Sequence, residues 1–146
     1  MYLNAKEYME DIRRQGNEIQ SLRRALSAID KDLEASAINY DPDAIHTNVP
    51  RKDGLEELAF KHMERRDRII KALEGAITER SEAIEQAVGY IQKIESDAQK
   101  EVLILRYIDS KSWSEIMVIR ECDDIRSQYK LHERALNALQ AVMTIA

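Results

Sequence analysis

A single periodicity constrains this chain more than any other feature. From Ala5 the less polar positions fall at Ala5, Tyr8, Ile12, Ile19, Leu22, Leu26, Ile29 and Leu33, in alternating steps of three and four with one gap at Gln15. That spacing marks one stripe along an α-helix and reads as a heptad seam. Asn4 is a suitable N-cap, and the pattern stops near Ala37. The spacing thus predicts a helix of roughly 30 residues, about 45–50 Å long.

Residues 38–54, INYDPDAIHTNVPRKDG, contain both prolines of the chain, three aspartates, two asparagines and a glycine. Such text breaks a helix on either side and predicts the main loop. A second seam follows at Leu55, Leu58, His62, Ile69, Leu73, Ile77, Ile84, Ala87 or Val88, Ile91 and Ile94, interrupted by Arg65, Arg66 and Arg80. It predicts a helix to about Glu95. Two long helices joined by a loop fold back most simply as an antiparallel coiled-coil hairpin. One buried stripe per helix rarely offsets the entropy of ordering both, so two hairpins are expected to pair as a homodimer. Polar seam residues such as Gln15, His62, Arg65 and Arg80 suit positions that set register. With only four glycines and two prolines in 146 residues, and one residue in three charged, the expected class is all-α.

At ESDAQKE the pattern resets, and Ser96 and Asp97 can cap a new helix. The expected division is therefore 1–95 for the hairpin and 96–146 for a small C-terminal unit. Residues 102–108 make an apolar third helix ended by DSKS. Ser112 and Glu115 form the S-x-x-E capping box of a fourth helix, from Trp113 to about Glu121. CDD reads as a turn, with Asp124 capping a fifth helix to Val142. Three short helices with a tight turn before the last are what a helix-turn-helix requires.

In such a unit the last helix presents its N-terminal exposed residues to the major groove. Arg126, Ser127, Gln128 and Lys130 are thus candidates for base or phosphate contact, and Arg120 and Arg134 for holding backbone phosphates. The alternative is a solvated charged face. Trp113, Ile116, Ile119, Tyr129, Leu131, Leu136 and Leu139 read as the core of the unit. Residues 98–146 carry seven Lys/Arg and seven Asp/Glu, while the whole chain has a net charge of −5. That balance excludes a broadly nucleic-acid-coating protein and predicts weak non-specific affinity for DNA.

Other function classes find little support. Cys122 is the sole cysteine, so no intramolecular disulfide can form, and a reducing compartment suits the count. His132-Glu133 resembles half of a zinc motif, but HERAL lacks the second histidine of H-E-x-x-H, and neither metal nor cofactor is expected. No phosphate loop, G-x-S-x-G or supported Cys/His pair occurs, so no enzyme is expected. Charged residues crowd positions 6–18, and no uncharged run approaches the roughly 18–20 apolar residues that span a bilayer. The expected location is the cytoplasm, away from membranes.

The stretches LNAKEYMEDIRR, INYDPDAIHTN, LRYIDSKSWSEI and YKLHERAL resemble the small helical phage and prophage proteins of Gram-positive bacteria related to sigma-70 region 4 and to ArpU-type late transcription regulators. The resemblance implies a long helical N-terminal part, a sigma-like helix-turn-helix and a role in phage transcription, with DNA and RNA polymerase as partners. Trp113, Glu115 and Ile116 match the first helix of that family's motif. Tyr129, Lys130, Leu131, His132, Ala135 and Leu136 match its recognition helix. Between them the chain departs from the pattern. ECDD replaces an apolar-Gly-x-Ser turn with one extra residue, and Gln128 falls where an aliphatic side chain is usual. A turn without glycine asks Cys122 or Asp123 to take a positive φ at some cost. A different class therefore stands beside the first, an adaptor whose long helices bind a partner helix.

Overall fold

A computed structural model describes residues 4–38 and 51–145. Every element among them is helical: α1 (Ala5–Ile38), α2 (Arg51–Ile91), α3 (Asp97–Leu103), a π-helical stretch (Ile104–Ile108), α4 (Trp113–Ile119) and α5 (Ile125–Ile145). The chain is all-α, as its periodicity predicts. Asn4 caps α1, its Oδ1 accepting from the Glu7 N–H at 2.8 Å. Helix α2 begins at Arg51, inside the stretch expected to be loop, and the rest of that loop, with His46, lies outside the described residues. It ends at Ile91 rather than Glu95, because the Lys93 and Ile94 N–H groups turn back to the carbonyls of Tyr90 and Ile91 in a tighter 3₁₀ closure.

The chain divides into two compact units, residues 1–18 with 78–146, and residues 19–77. The expected boundary at residue 95 is not where it divides, and the reason is burial. Ala5, Tyr8, Met9 and Ile12 of α1 and Ala87 and Ile91 of α2 share one core with Val102, Leu103, Tyr107, Ile116, Ala135 and Leu139. Each of the larger of these side chains stabilises the fold by about 1.5–3 kcal/mol when wholly removed from water. The first turns of α1 and the last turns of α2 thus belong to the C-terminal helices.

Within that unit the two long helices run in opposite directions. Tyr8 meets Gln86 through its hydroxyl at 3.3 Å and Tyr90 edge-on at 6.0 Å, whereas Gly16 faces Arg80. Arg80, which interrupts the seam in sequence, supplies a joint. Its Nε donates to the Ile12 carbonyl at 3.2 Å, and its Nη2 donates to the carbonyls of Tyr107 and Ile108 at 3.3 and 2.8 Å. Those last two carbonyls close the π-helical stretch, where terminal C=O groups lack intrahelical donors. Gly16 makes room for the guanidinium, since a Cβ there would sit 2.9 Å from Arg80 Nη2.

In the unit of residues 19–77, Ile19 is buried and Leu22, Leu26, Ile29 and Leu33 are half-buried along the α1 seam. Arg66 Nε pairs with Asp30 Oδ1 at 2.8 Å. Leu58, Phe60, Met63 and Ile77 remain exposed, and His62 Nδ1 is buried without a hydrogen-bond partner.

Candidate nucleic-acid interface

Ser112 starts α4, its Oγ accepting from the Glu115 N–H at 3.2 Å. The helix then closes on a residue with positive φ. Glu121 has φ 53°, the Cys122 N–H reaches the Met117 carbonyl at 2.9 Å, and the Glu121 N–H reaches Val118 at 3.2 Å. This paired closure is a Schellman motif, which usually employs glycine at the left-handed position. The expectation that Cys122 or Asp123 would take that conformation is corrected: Glu121 does, because it alone follows the C-cap. Asp124 then caps α5, with Oδ1 accepting from the Arg126 N–H at 3.0 Å and Oδ2 from the Ser127 hydroxyl at 3.0 Å.

The six residues expected to contact DNA separate into two groups. Arg126, Ser127, Lys130 and Arg134 are exposed on α5. Arg126, Lys130 and Arg134 succeed one another at four-residue steps, which places three cations in a row on one helix face. The Ser127 hydroxyl is engaged by Asp124. Gln128 is 3% exposed, with its Oε1 buried and unpartnered, so it lies in the core and not toward a groove. Arg120 is engaged elsewhere in the unit. Its side chain is 15% exposed and its Nη1 pairs with Glu101 Oε2 at 3.0 Å, tying the end of α4 to α3.

Ile119, expected in the core, emerges at the surface with its neighbours around the turn. Val118 (78% exposed), Ile119 and Ile125 flank the turn between α4 and α5. Ile119 therefore does not fill the core. Tyr129, also expected in the core, is 46% exposed and stands edge-on to Trp113 at 5.1 Å.

Tyr129 belongs instead to a cleft of about 570 Å³, lined by Lys6, Glu10, Arg13, Arg14 and Asn17 of α1, Arg106 and Tyr107 of the π-helical stretch, Trp113 of α4, and Tyr129 and His132 of α5. Arg106 lies over the Trp113 ring at 4.8 Å and donates to the Lys111 carbonyl at 3.2 Å. His132 stands edge-on to Trp113 at 4.9 Å, stacks on Tyr107 at 5.6 Å, and shares a 2.6 Å hydrogen bond with the Tyr107 hydroxyl. Burial, then the nearby Arg106 and Lys6, lowers the His132 pKa to about 4. Burial, then Glu10, pushes the Tyr107 phenol up to about 12. Both rings are therefore neutral across the physiological range. The Arg106 pKa is lowered by burial first and next by Arg13, a sign that two guanidinium charges face the same space.

Reading the C-terminal residues by themselves misses this cleft, because Lys6, Arg13 and Arg14 arrive from α1. The available signals are the Arg13-Arg14 pair beside the α1 seam and Arg106 inside the otherwise apolar LILRYI. Comparison with family models, curated proteins and solved structures returns no match.

Proposed function

We propose that this chain is a non-catalytic, sigma-like transcription regulator of phage type that grips DNA weakly, or with the help of RNA polymerase, through α5. The reading rests above all on the exposed row Arg126, Lys130 and Arg134 at the start of a capped helix that follows α4 and a tight turn. Such a row suits phosphate oxygens, which position a protein on a duplex without specifying sequence. Asp123 and Asp124 at the tip of the turn repel the same phosphates, in keeping with low affinity. Fluorescence anisotropy with duplex DNA at low and moderate salt tests the proposal. Lys130→Ala and Arg126→Ala should each weaken binding on all sequences and reduce the salt slope by about one. Affinities unchanged in both variants would remove α5 from the interface.

The half-covered seam of residues 19–77, with Leu58 and Ile77 exposed on it, Phe60 and Met63 exposed beside it and His62 Nδ1 unpartnered, supports pairing of two copies along that unit. Light scattering at tens of micromolar should then give twice the 16.9 kDa chain mass. A single-chain mass would leave that seam to another partner.

One observation favours an adaptor as the second reading. Val118, Ile119 and Ile125 form an exposed apolar patch around the turn, where a DNA-docking surface would be polar. Under this reading, affinity capture retrieves phage structural proteins and not RNA polymerase subunits.

A further inference from the structure

The cleft is built unlike a solvated charged face. Of its cations, Lys6 lies 4.0 Å from Glu10 and Arg14 lies 2.6 Å from Asp11, so two positive charges are balanced by neighbours on the same helix. Arg13 and Arg106 remain, with Glu10, which also acts on Arg106, the one carboxylate that shares the lining. Arg106 is steered by the Trp113 ring and the Lys111 carbonyl, and Arg13 has its Nε buried without a hydrogen-bond partner. Two like charges held around one hollow repel each other, and an anion between them relieves the repulsion and supplies the missing acceptor. Guanidinium forks match the oxygens of a phosphate in pairs, and a phosphomonoester carries about −1.5 to −2 charges at neutral pH, which balances two arginines.

The other wall is aromatic. Tyr129 is nearly half exposed beside Trp113, and neutral Tyr107 and His132 occupy the floor. Side chains of this kind stack on flat rings, and any nucleobase offers one. The volume of about 570 Å³ is that of a small-molecule site and not of a single ion. We propose that this cleft binds a nucleoside monophosphate, with the phosphate between Arg13 and Arg106 and the base against Tyr129. The site is separate from the Arg126, Lys130 and Arg134 row, none of which lines it, so the inference stands whether or not α5 binds DNA. A ligand seated there touches both α1 and α5 and is placed to restrain one against the other.

Isothermal titration calorimetry of the full chain with AMP, adenosine and inorganic phosphate tests it. AMP should bind saturably with a dissociation constant below about 1 mM, and adenosine and phosphate should each bind at least about tenfold more weakly. Arg13→Gln and Tyr129→Ala should each weaken AMP at least about tenfold while the thermal transition persists. Should Arg13→Gln fail to fold, Arg13→Lys keeps the charge, loses the fork, and should still weaken AMP. The proposal is overturned if AMP does not bind, or binds equally well to Arg13→Lys and Tyr129→Ala. Equal affinity for AMP and phosphate overturns the stacking wall, and displacement of AMP by a short duplex assigns the cleft to a DNA phosphate instead of a free nucleotide.

Discussion

Gln128 shows how one side chain changes meaning between sequence and structure. By position it is the fourth residue after the cap, where a recognition helix offers a base-reading amide. By burial it belongs to the core, and its Oε1 finds no donor. A buried, unsatisfied carbonyl costs about 1–3 kcal/mol of desolvation, so replacement by an apolar side chain of similar size should help. Gln128→Leu is therefore expected to raise the stability by about 1 kcal/mol in urea unfolding and to leave DNA sequence preference unchanged. A variant that discriminates differently among sites would put Gln128 back in the groove. Glu121 carries the opposite lesson. ECDD identified a turn that needs a positive φ, but which residue takes it depended on where α4 stopped, and no pattern in the four letters says so.

Among the elements, those with caps were the legible ones. Asn4, Ser96 and Ser112 each accept a backbone hydrogen bond at the helix start that sequence assigned to them, and Asp124 does so at α5. The π-helical stretch was not legible, since LILRYI reads as an ordinary helix and its closure depends on Arg80 arriving from α2. Gly16 likewise acquires a role only where Arg80 occupies the space beside it. Alanine in a helix interior ordinarily gains about 0.5–1 kcal/mol over glycine. At Gly16 the added methyl meets a guanidinium held by three carbonyls, and overpacking of this kind costs about 1–3 kcal/mol. Gly16→Ala should therefore lower the unfolding midpoint. Gly89→Ala, with nothing within 4 Å of its Cβ, should raise it. Stabilisation by both substitutions would mean that Arg80 moves aside and is not the joint between α1, α2 and the π-helical stretch.

At the scale of the molecule, charge sums along the sequence hid what the fold assembles. Residues 98–146 are neutral by count, yet Arg106 faces Arg13 from near the other end of the chain. The same assembly buries His132 among Tyr107, Trp113, Arg106 and Lys6, with Glu10 on the facing helix, and no described helix is long and apolar enough to cross a membrane. His132 thereby links the folding of the unit to pH. Its folded pKa of about 4 lies below the ordinary 6.5, so above pH 6.5 both folded and unfolded chains keep it neutral and no linkage acts. As pH falls from 6.5 to 4 the unfolded chain takes up a proton that the folded chain refuses, and stability is lost. Below 4 both forms are protonated and the loss levels off. Carboxylates titrate in the lower part of this window as well, so the informative quantity is a difference between two proteins. Urea unfolding of the parent chain and of His132→Gln across this range should show the parent losing more stability between pH 6.5 and 5, where carboxylates contribute least. Parallel pH profiles would mean that the imidazole is protonated as readily in the fold as outside it, and that the floor of the cleft is wet.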